Sequence, residues 1–402
     1  MMGAFPLLSF DDAQANNLGF LQISGNKIIN SESNKPVFLR GLALSNGVFN
    51  DKGSASSEMP SWALNEDDVV FFKKMGASVV RYCFSYKWLL DDKGFEKLDE
   101  HLKLFEKHGI YVILNMHIPP GSGSEWGKSV GDELFVKENW DIFVQIWEKI
   151  AKRYRGRAVI AAYEPFSEPK PKTYDQLVAK TKEIVAAIRK IEANDKLKHI
   201  IIVTRPEALR ENGVTTFKSY PLFELDEPNI LYTFHFYEPW AFTHQPEAKD
   251  LYWLDAEQKE NLPQVYHYPT ECSWMVGQYS REQMEKVICS HVKWAEENNV
   301  PLYVGEFGAT NRAPIEDKKK WLADVLAILA KYNIPAWTYW DYKNAYGWRY
   351  DFSLVNVLPN NFEEHNVWSK AHIKQDIKEV NKRGQQIIAL LRKYFTKEVN
   401  NQ

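Results

Sequence analysis

Two stretches decide the fold of this chain: Val159-Ile-Ala-Ala-Tyr-Glu-Pro-Phe-Ser-Glu-Pro169 and Pro301-Leu-Tyr-Val-Gly-Glu-Phe-Gly308. In each, a run of apolar and β-branched residues leads to a glutamate, Glu168 in the first and Glu306 in the second, and a proline or glycine turn signal follows. Runs of this kind are typical of strands buried in a parallel sheet. We therefore place each glutamate at the carboxyl end of a predicted strand.

Strand-like and helix-like segments alternate along nearly the whole chain. The predicted strands are 36–44, 78–84, 111–118, 159–166, 199–205, 230–237, 301–306 and 335–341. The predicted helices are 66–75, 95–108, 137–154, 174–193, 281–298, 316–332 and 374–394. This alternation favours parallel βα units, and eight strands predict an α/β chain folded as a single (β/α)8 TIM barrel. An open doubly wound sheet is the alternative, but no Gly-x-Gly-x-x-Gly follows the first strand.

The segments outside the βα units predict how the barrel is finished. Residues 20–34 predict a β-hairpin turning at Gly25-Asn26, which could plug the bottom of the barrel. Long loops follow the first, third and sixth strands, at 45–65, 119–136 and 238–280, and belong to the catalytic face. No linker, repeat or low-complexity tract divides the chain. We expect one domain over 1–402, with the barrel at about 36–395.

The composition excludes several classes of function. The chain has 402 residues, 45% of them hydrophobic and 26% charged, and a net charge of −3. Without a basic excess, binding to nucleic acid or to an anionic membrane surface is not expected. No apolar run is long enough to span a bilayer. The aromatic content is high, with 14 Trp, 20 Tyr and 22 Phe; we expect most of these rings in a large core and some in loops after strands, where they could line a cleft.

The three cysteines and the amino terminus carry little information. Cys83, Cys272 and Cys289 match neither a zinc site nor a disulfide framework, and a pairing of Cys272 with Cys289 cannot be read from the sequence. The first ten residues are apolar but lack a basic start, so they make an unconvincing signal peptide.

Polar and aromatic side chains stand at or near the ends of most predicted strands. In chain order they are Arg81, Asn115, His117, Ser167, Glu168, His235, Tyr237, Glu306 and Trp340. Taken singly, each has an ordinary structural explanation as an ion pair or a satisfied core group. Taken together in one barrel mouth, they would be costly unless they paired with one another or with a ligand. Two facing carboxyl groups are what the cleavage of a glycosidic bond requires.

This set resembles glycoside hydrolase family 5, the retaining (β/α)8 glycosidases that include bacterial cellulases. The residues that match the family pattern are Arg81, His117, Glu168 with Pro169, His235, Tyr237, Glu306 and Trp340. The first strand, Phe38-Leu-Arg-Gly-Leu-Ala-Leu44, and the segment 237–245 are also similar, so the resemblance covers nearly the whole chain. One position departs: the family has an asparagine, expected to bind the sugar 2-hydroxyl, where this chain has the shorter Ser167.

The resemblance implies a role for each matched residue. Glu168 would be the general acid/base, protonated at working pH, and Glu306 the ionised nucleophile. Arg81 would hold Glu306 charged and Tyr237 would orient it by a hydrogen bond. His117 and His235 would line the subsite beside the cleaved bond, with Trp340 as its floor. A retaining reaction requires the two carboxyl groups to lie about 5–5.5 Å apart, against about 6.5–9.5 Å for an inverting one.

Three further residues are weaker candidates, and no metal or cofactor is implied. Glu164 points to the same side of its strand as Glu168 and is the alternative acid, although it sits deeper in the barrel. Trp126, in the loop after the third strand, and Trp240, in the loop after the sixth, are candidates for substrate binding.

We therefore expect a retaining β-glycoside hydrolase acting on β-glucan-type polysaccharides or oligosaccharides, first of all an endo-β-1,4-glucanase of the cellulase type. Alternatives within the family are an exo-acting β-glucosidase or β-1,3-glucanase, or a mannanase. The alternative of a different class is a carbohydrate-binding pseudoenzyme weakened by Ser167. We expect a monomer whose partner is the saccharide. A secreted or periplasmic location is expected, and a cytoplasmic one stays open because the signal segment is unconvincing.

Overall fold

The computed structural model describes residues 18–48, 63–122, 133–211, 214–217, 220–251, 254–272, 277–345, 350–358 and 370–395. Eight parallel strands in these ranges close into a barrel. They are β1 Leu39–Leu44, β2 Val79–Ser85, β3 Tyr111–Ile118, β4 Ile160–Glu164, β5 Ile200–Thr204, β6 Ile230–Phe236, β7 Leu302–Phe307 and β8 Ala336–Tyr339. Strands that are consecutive along the chain pair with each other, and β8 pairs back with β1. The predicted closed barrel and its eight strands are confirmed.

Helices pack around the barrel in the connections between strands and after the last strand. They are α1 Glu66–Met75, α2 Asp92–Lys107, α3 Lys137–Tyr154, α4 Tyr174–Ile191, α5 Arg281–Glu297, α6 Ile315–Lys331 and α7 Lys370–Phe395. In α2, Asp91 caps the first turn by accepting the N–H of Gly94 at 3.1 Å. Its apolar stripe, including Leu98 and Phe105, is buried against the barrel, and Gly109 follows with a φ of 63°.

The N-terminal hairpin closes the barrel at the amino ends of the strands. Its two strands, Leu21–Ser24 and Lys27–Asn30, pair in antiparallel fashion. Leu21 and Ile28 share a buried apolar cluster with residues at the starts of the barrel strands, among them Leu39 and Ala336. The hydroxyl of Tyr111 adds a hydrogen bond of 2.8 Å to the carbonyl of Gly19. In the part of the chain that the structure describes, the hairpin thus covers this end of the barrel and leaves the carboxyl ends of the strands for a ligand.

The loops at the carboxyl ends carry further short elements. After β5 comes a hairpin that the sequence did not reveal, Ala208–Glu211 with Val214–Phe217. After β6 come the short helices Trp240–His244 and Ala256–Glu260 and the strand pair Thr270–Cys272 with Gly277–Tyr279, and after β8 the pair Lys343–Ala345 with Val355–Val357. Short 3-10 turns lie at Tyr86–Leu89, Glu133–Phe135 and Ala248–Asp250.

Two further observations bear on the sequence analysis. Cys83 and Cys289 are free thiols, so the pairing of Cys272 with Cys289 is not formed. Among the helices in the described ranges, none is both long enough and apolar enough to cross a membrane.

Candidate active site

Glu168 and Glu306 approach each other at the carboxyl ends of the barrel strands. Glu306 lies next to the last residue of β7, and Glu168 follows the end of β4. A carboxylate oxygen of each and a ring nitrogen of His235, which is in β6, all lie within 4.8 Å of one another. Nδ1 of His235 is 2.9 Å from Oε1 of Glu168 and 3.6 Å from Oε2 of Glu306. This limit on the separation of the nearest oxygens is compatible with the short carboxyl spacing of a retaining reaction.

Arg81, in β2, joins two carboxylates in the centre of the barrel. Its Nε lies 2.7 Å from Oε2 of Glu164 and its Nη2 lies 3.0 Å from Oε1, while Nη1 donates to Glu306. Burial opposes the charge of Arg81, but Glu164 and Glu306 outweigh it and raise the pKa of Arg81 well above its usual value. Glu164 is fully buried in this ion pair, which leaves it no path to a substrate.

Glu306 is held as a carboxylate. Burial raises its pKa, but the charges of His235 and Arg81 outweigh burial, and the net pKa of Glu306 is lowered. The hydroxyl of Tyr237 donates to Oε2 of Glu306 at 2.8 Å. Burial and the charge of Glu306 raise the pKa of Tyr237 well above its usual value, so this hydroxyl keeps its proton. The two donors leave Glu306 ionised and fixed in orientation.

The sequence predicts a protonated Glu168, but the pKa shifts of Glu168 and His235 instead favour the imidazole as the group that holds the proton between them. Burial raises the pKa of Glu168, but the hydrogen bond and charge of His235 outweigh burial and lower that pKa to about 2. Burial lowers the pKa of His235, yet the charge of Glu306 and the bond to Glu168 raise it overall. The pair still contains one proton, which has only to move across a 2.9 Å hydrogen bond to reach Glu168. A substrate that excludes water would favour this neutral arrangement, because charge separation costs more in a low dielectric.

Ser167 links Arg81 to His117. The hydroxyl of Ser167 lies 3.3 Å from Nη2 of Arg81 and 3.3 Å from Nδ1 of His117. Nδ1 of His117 also lies 3.0 Å from Oδ1 of Asn115. Burial lowers the pKa of His117 to about 4, so its imidazole is neutral at ordinary pH. Ser167 therefore belongs to the polar network of the site even though it replaces the family's asparagine.

Aromatic residues bound the site. Trp340, which follows β8, stacks on His117 with ring centroids 5.0 Å apart and planes 13° apart. The guanidinium carbon of Arg81 lies 6.0 Å from the centre of the Trp340 ring. Trp240 begins the short helix after β6 and stacks on His244 at 5.0 Å, and His244 contacts Tyr237 at 5.2 Å. Trp240 is thus linked through His244 to Tyr237, whereas Trp126 lies outside the described residues.

The sequence analysis missed two charged residues beyond the end of β5, namely Arg205 and Glu207. The backbone N–H of Glu207 donates to the carbonyl of Pro169 at 3.0 Å, so it lies beside the residue that follows Glu168. The sequence signal was the one used elsewhere, a polar residue just after an apolar strand, in Thr204-Arg205-Pro206-Glu207. His244, which contacts Tyr237 and Trp240, was also missed, because its position depends on the path of the loop after β6.

Within the described ranges, one group of potential metal ligands lies close enough together to bind a divalent cation, namely Glu168, His235 and Glu306. The positively charged Arg81 is already bound to Glu306 and disfavours a second cation there. The arrangement instead suits acid and nucleophilic chemistry.

Comparison with known proteins agrees with this site. Residues 32–346 match the family described as cellulase, glycosyl hydrolase family 5. A β-xylosidase of Phanerodontia chrysosporium is 24% identical over 378 residues, which cover 81% of this chain and 71% of the relative. Endoglucanase C of Acetivibrio thermocellus is 26% identical over 324 residues, 73% of this chain and 86% of the relative.

A solved structure shares the fold. The endoglucanase Cel5A from Thermotoga maritima superimposes with a TM-score of 0.57 at 23% identity, covering 79% of this chain and 91% of that one. The family match spans most of the chain and includes each of the residues that converge in the barrel mouth. This protein is a glycoside hydrolase and belongs to the cellulase family, glycosyl hydrolase family 5.

Proposed function

We propose that this enzyme cleaves β-1,4-glucans within the chain by double displacement, with Glu306 as nucleophile and Glu168 as acid/base. The observation that carries the proposal is the arrangement of these two carboxyl groups. One oxygen of each lies within 4.8 Å of one oxygen of the other, Arg81 and Tyr237 bind Glu306, and His235 binds Glu168. One carboxylate is held by two donors while the other shares a proton with His235, and this difference in partners supplies the asymmetry between nucleophile and acid that a retaining reaction needs.

In the first step, a carboxylate oxygen of Glu306 forms a bond to the anomeric carbon while the bond from that carbon to the leaving oxygen breaks. Glu168, having taken the proton from His235, delivers it to the leaving oxygen. Arg81 and Tyr237 hold the attacking carboxylate in position, which removes most of the entropic cost of the encounter.

In the second step, Glu168 is a carboxylate and takes a proton from water. The water oxygen attacks the anomeric carbon, and the bond to Glu306 breaks to regenerate the carboxylate. Because both displacements invert the anomeric carbon, the product keeps the β-configuration.

The choice of substrate rests on the relatives and on the aromatic residues of the site. The similarity to endoglucanase C favours a glucan as the substrate. The similarity to the β-xylosidase leaves exo action and other sugars open. Trp340 supplies a ring beside the catalytic groups, and Trp240 supplies a second one on the side of His244. An exo-acting β-glucosidase or β-1,3-glucanase and a mannanase are the competing activities. We also propose that the enzyme is an exported monomer, since a polymeric glucan is met outside the cytoplasm.

A panel of soluble cellulose, laminarin, mannan, xylan and an aryl β-cellobioside tests the proposal, with the parent enzyme beside Glu306→Ala. We expect a rapid fall in the viscosity of soluble cellulose relative to reducing ends released, and β-anomeric product detected first by NMR. Release of α-anomer would overturn the double displacement. A slow fall in viscosity would indicate exo action, and equal background rates for both proteins would indicate a carbohydrate-binding pseudoenzyme.

A further inference from the structure

His244 lies one side chain away from the nucleophile, and the mechanism above gives it no role. It ends the short helix that follows β6. Its ring centroid lies 5.2 Å from that of Tyr237, whose hydroxyl donates to Oε2 of Glu306 at 2.8 Å. The ring also stacks on Trp240 at 5.0 Å and meets the edge of Phe352 at 5.2 Å. These contacts fix the plane of the imidazole close to the nucleophile.

The hydrogen bonds of Thr243 determine which nitrogen of the His244 ring carries the hydrogen. The Thr243 hydroxyl lies 2.6 Å from the carbonyl oxygen of Tyr237, 3.2 Å from that of Trp240 and 3.0 Å from Nδ1 of His244. A hydroxyl has one hydrogen, and an approach of 2.6 Å to a carbonyl oxygen is favourable only with that hydrogen between the two oxygens. The hydroxyl oxygen can then only accept from the ring, so Nδ1 carries the hydrogen. In a neutral imidazole, Nε2 is therefore an acceptor.

The ring is neutral at ordinary pH, and its Nε2 is unused. Burial lowers the pKa of His244 to about 4, against the opposing charges of Glu168 and Glu306. Among the described residues, the hydrogen bond of the ring goes from Nδ1 to Thr243, and Nε2 is not one of the enclosed polar atoms that lack a partner. The side chain is half-buried, so Nε2 stays accessible. Because Nδ1 faces the backbone of its own helix, Nε2 points away from that helix.

Resting on the proposed function, we propose that His244 is a substrate-binding residue whose Nε2 accepts a hydrogen bond from a hydroxyl group of the saccharide. Every sugar hydroxyl can donate, and this acceptor lies at the carboxyl ends of the strands beside Tyr237, where the saccharide must bind. The stack on Trp240 holds the ring in one orientation before the sugar arrives, so little rotamer freedom is lost on binding. His244 transfers no proton and forms no covalent bond. It contributes to binding, and the chemical step stays with Glu168 and Glu306.

The test compares two substitutions that each keep one half of the imidazole, with kcat and KM measured on cellotetraose at about pH 6, where the ring is neutral. The amide of His244→Asn can donate to Thr243 as Nδ1 does, but it offers no acceptor at the place of Nε2. The longer amide of His244→Gln brings an acceptor oxygen to that place. For His244→Asn we expect KM to rise by about 3–10-fold, the equivalent of one hydrogen bond, with kcat within about twofold of the parent. For His244→Gln we expect both constants within about twofold of the parent.

His267→Asn is the matched control, because His267 is an exposed residue of the same long loop whose Nδ1 contacts Asp317. Its kcat and KM should match those of the parent. An unchanged KM in His244→Asn would overturn the proposal. So would an equal or larger rise in His244→Gln, since the bond to Thr243 would then be what matters.

If His244→Asn does not fold by circular dichroism, His244→Phe carries the same expectation, because it keeps the stack on Trp240 and removes the acceptor. Failure of the proposed function looks different: the parent itself would not cleave cellotetraose. The same variants would then be compared on xylotetraose or mannotetraose, whichever the parent cleaves, with the same expected split between kcat and KM.

Discussion

Arg81 and Glu164 form a fully buried ion pair through two hydrogen bonds, of 2.7 Å from Nε and 3.0 Å from Nη2. A pair with this fork geometry fixes the plane of the guanidinium. The remaining nitrogen, Nη1, is thereby directed at Glu306. Glu164 thus supports the arginine that binds Glu306. This explains why β4 carries a glutamate at a buried position that has no access to substrate.

The first prediction concerns stability. Arg81→Met leaves Glu164 and Glu306 buried without their cation, and we expect a loss of about 3–5 kcal/mol in the free energy of unfolding. Arg153→Met is the control, because Arg153 pairs with Asp99 at an exposed position where such pairs contribute at most about 1 kcal/mol. Urea unfolding of both variants measures the difference. Equal losses would show that Arg81 is not needed to neutralise the buried carboxylates.

The second prediction distinguishes the role of Glu168 from that of Glu306 with two substrates that differ in their leaving group. Glu168→Gln should lower kcat/KM on cellotetraose by about 10²–10⁴-fold, because general acid catalysis is lost. On a dinitrophenyl glycoside, kcat/KM should change little. Glu306→Ala should abolish turnover of both substrates, since the attacking oxygen itself is gone. Initial rates on the two substrates are the measurement, and a similar loss for Glu168→Gln on both would contradict the acid role.

The barrel and most of the site were predictable because parallel strands place their carboxyl ends at one rim. Arg81, Glu306 and Trp340 could be placed together from strand ends alone. The location of the proton that His235 and Glu168 share could not be predicted, because it depends on the 2.9 Å contact between these two residues, which come from separate βα units. The proximity of Glu207 to the site was also hidden, since it depends on the backbone bond to residue 169 that only the folded loops create.

The third prediction concerns the serine that departs from the family pattern. Ser167→Asn should raise kcat/KM on cellotetraose by about 2–10-fold, the equivalent of one added neutral hydrogen bond. The reason is that an amide reaches further toward the sugar 2-hydroxyl than the Ser167 hydroxyl, which is already 3.3 Å from Arg81 and His117. A 2-deoxyglucoside is the control, because it lacks the hydroxyl and should show no gain. Unchanged kinetics on both substrates would mean that Ser167 is already competent.

The fourth prediction is the pH dependence set by His235. His235→Asn keeps a donor near Glu168 but removes the positive charge that lowers the pKa of both Glu168 and Glu306. The nucleophile then ionises at a higher pH, so the acid limb of kcat/KM should move up. The raised pKa of His235 no longer helps to hold the shared proton, so the alkaline limb should move down. The bell-shaped pH profile of kcat/KM should therefore narrow from both sides. A shift of the whole profile in one direction would contradict this account.

The same substitution has a consequence for stability in acid. Carboxyl groups whose pKa is lowered by folding contribute stability that is fully present above their unfolded value of about 4.3 and is lost as the pH falls toward the folded value. In the parent, Glu168 and Glu306 therefore support the fold well below pH 4.3, with the pKa of Glu168 at about 2. In His235→Asn their pKa values rise, so less of this stability exists and it disappears at a higher pH. The measurement is the midpoint of thermal unfolding between about pH 2 and pH 6. The parent should have the higher midpoint near pH 6 and should lose more of it as the pH falls. The reason is that the difference in bound protons between the unfolded and the folded state is larger in the parent than in His235→Asn. Parallel curves for the two proteins would mean that His235 does not set the ionisation of these carboxyl groups.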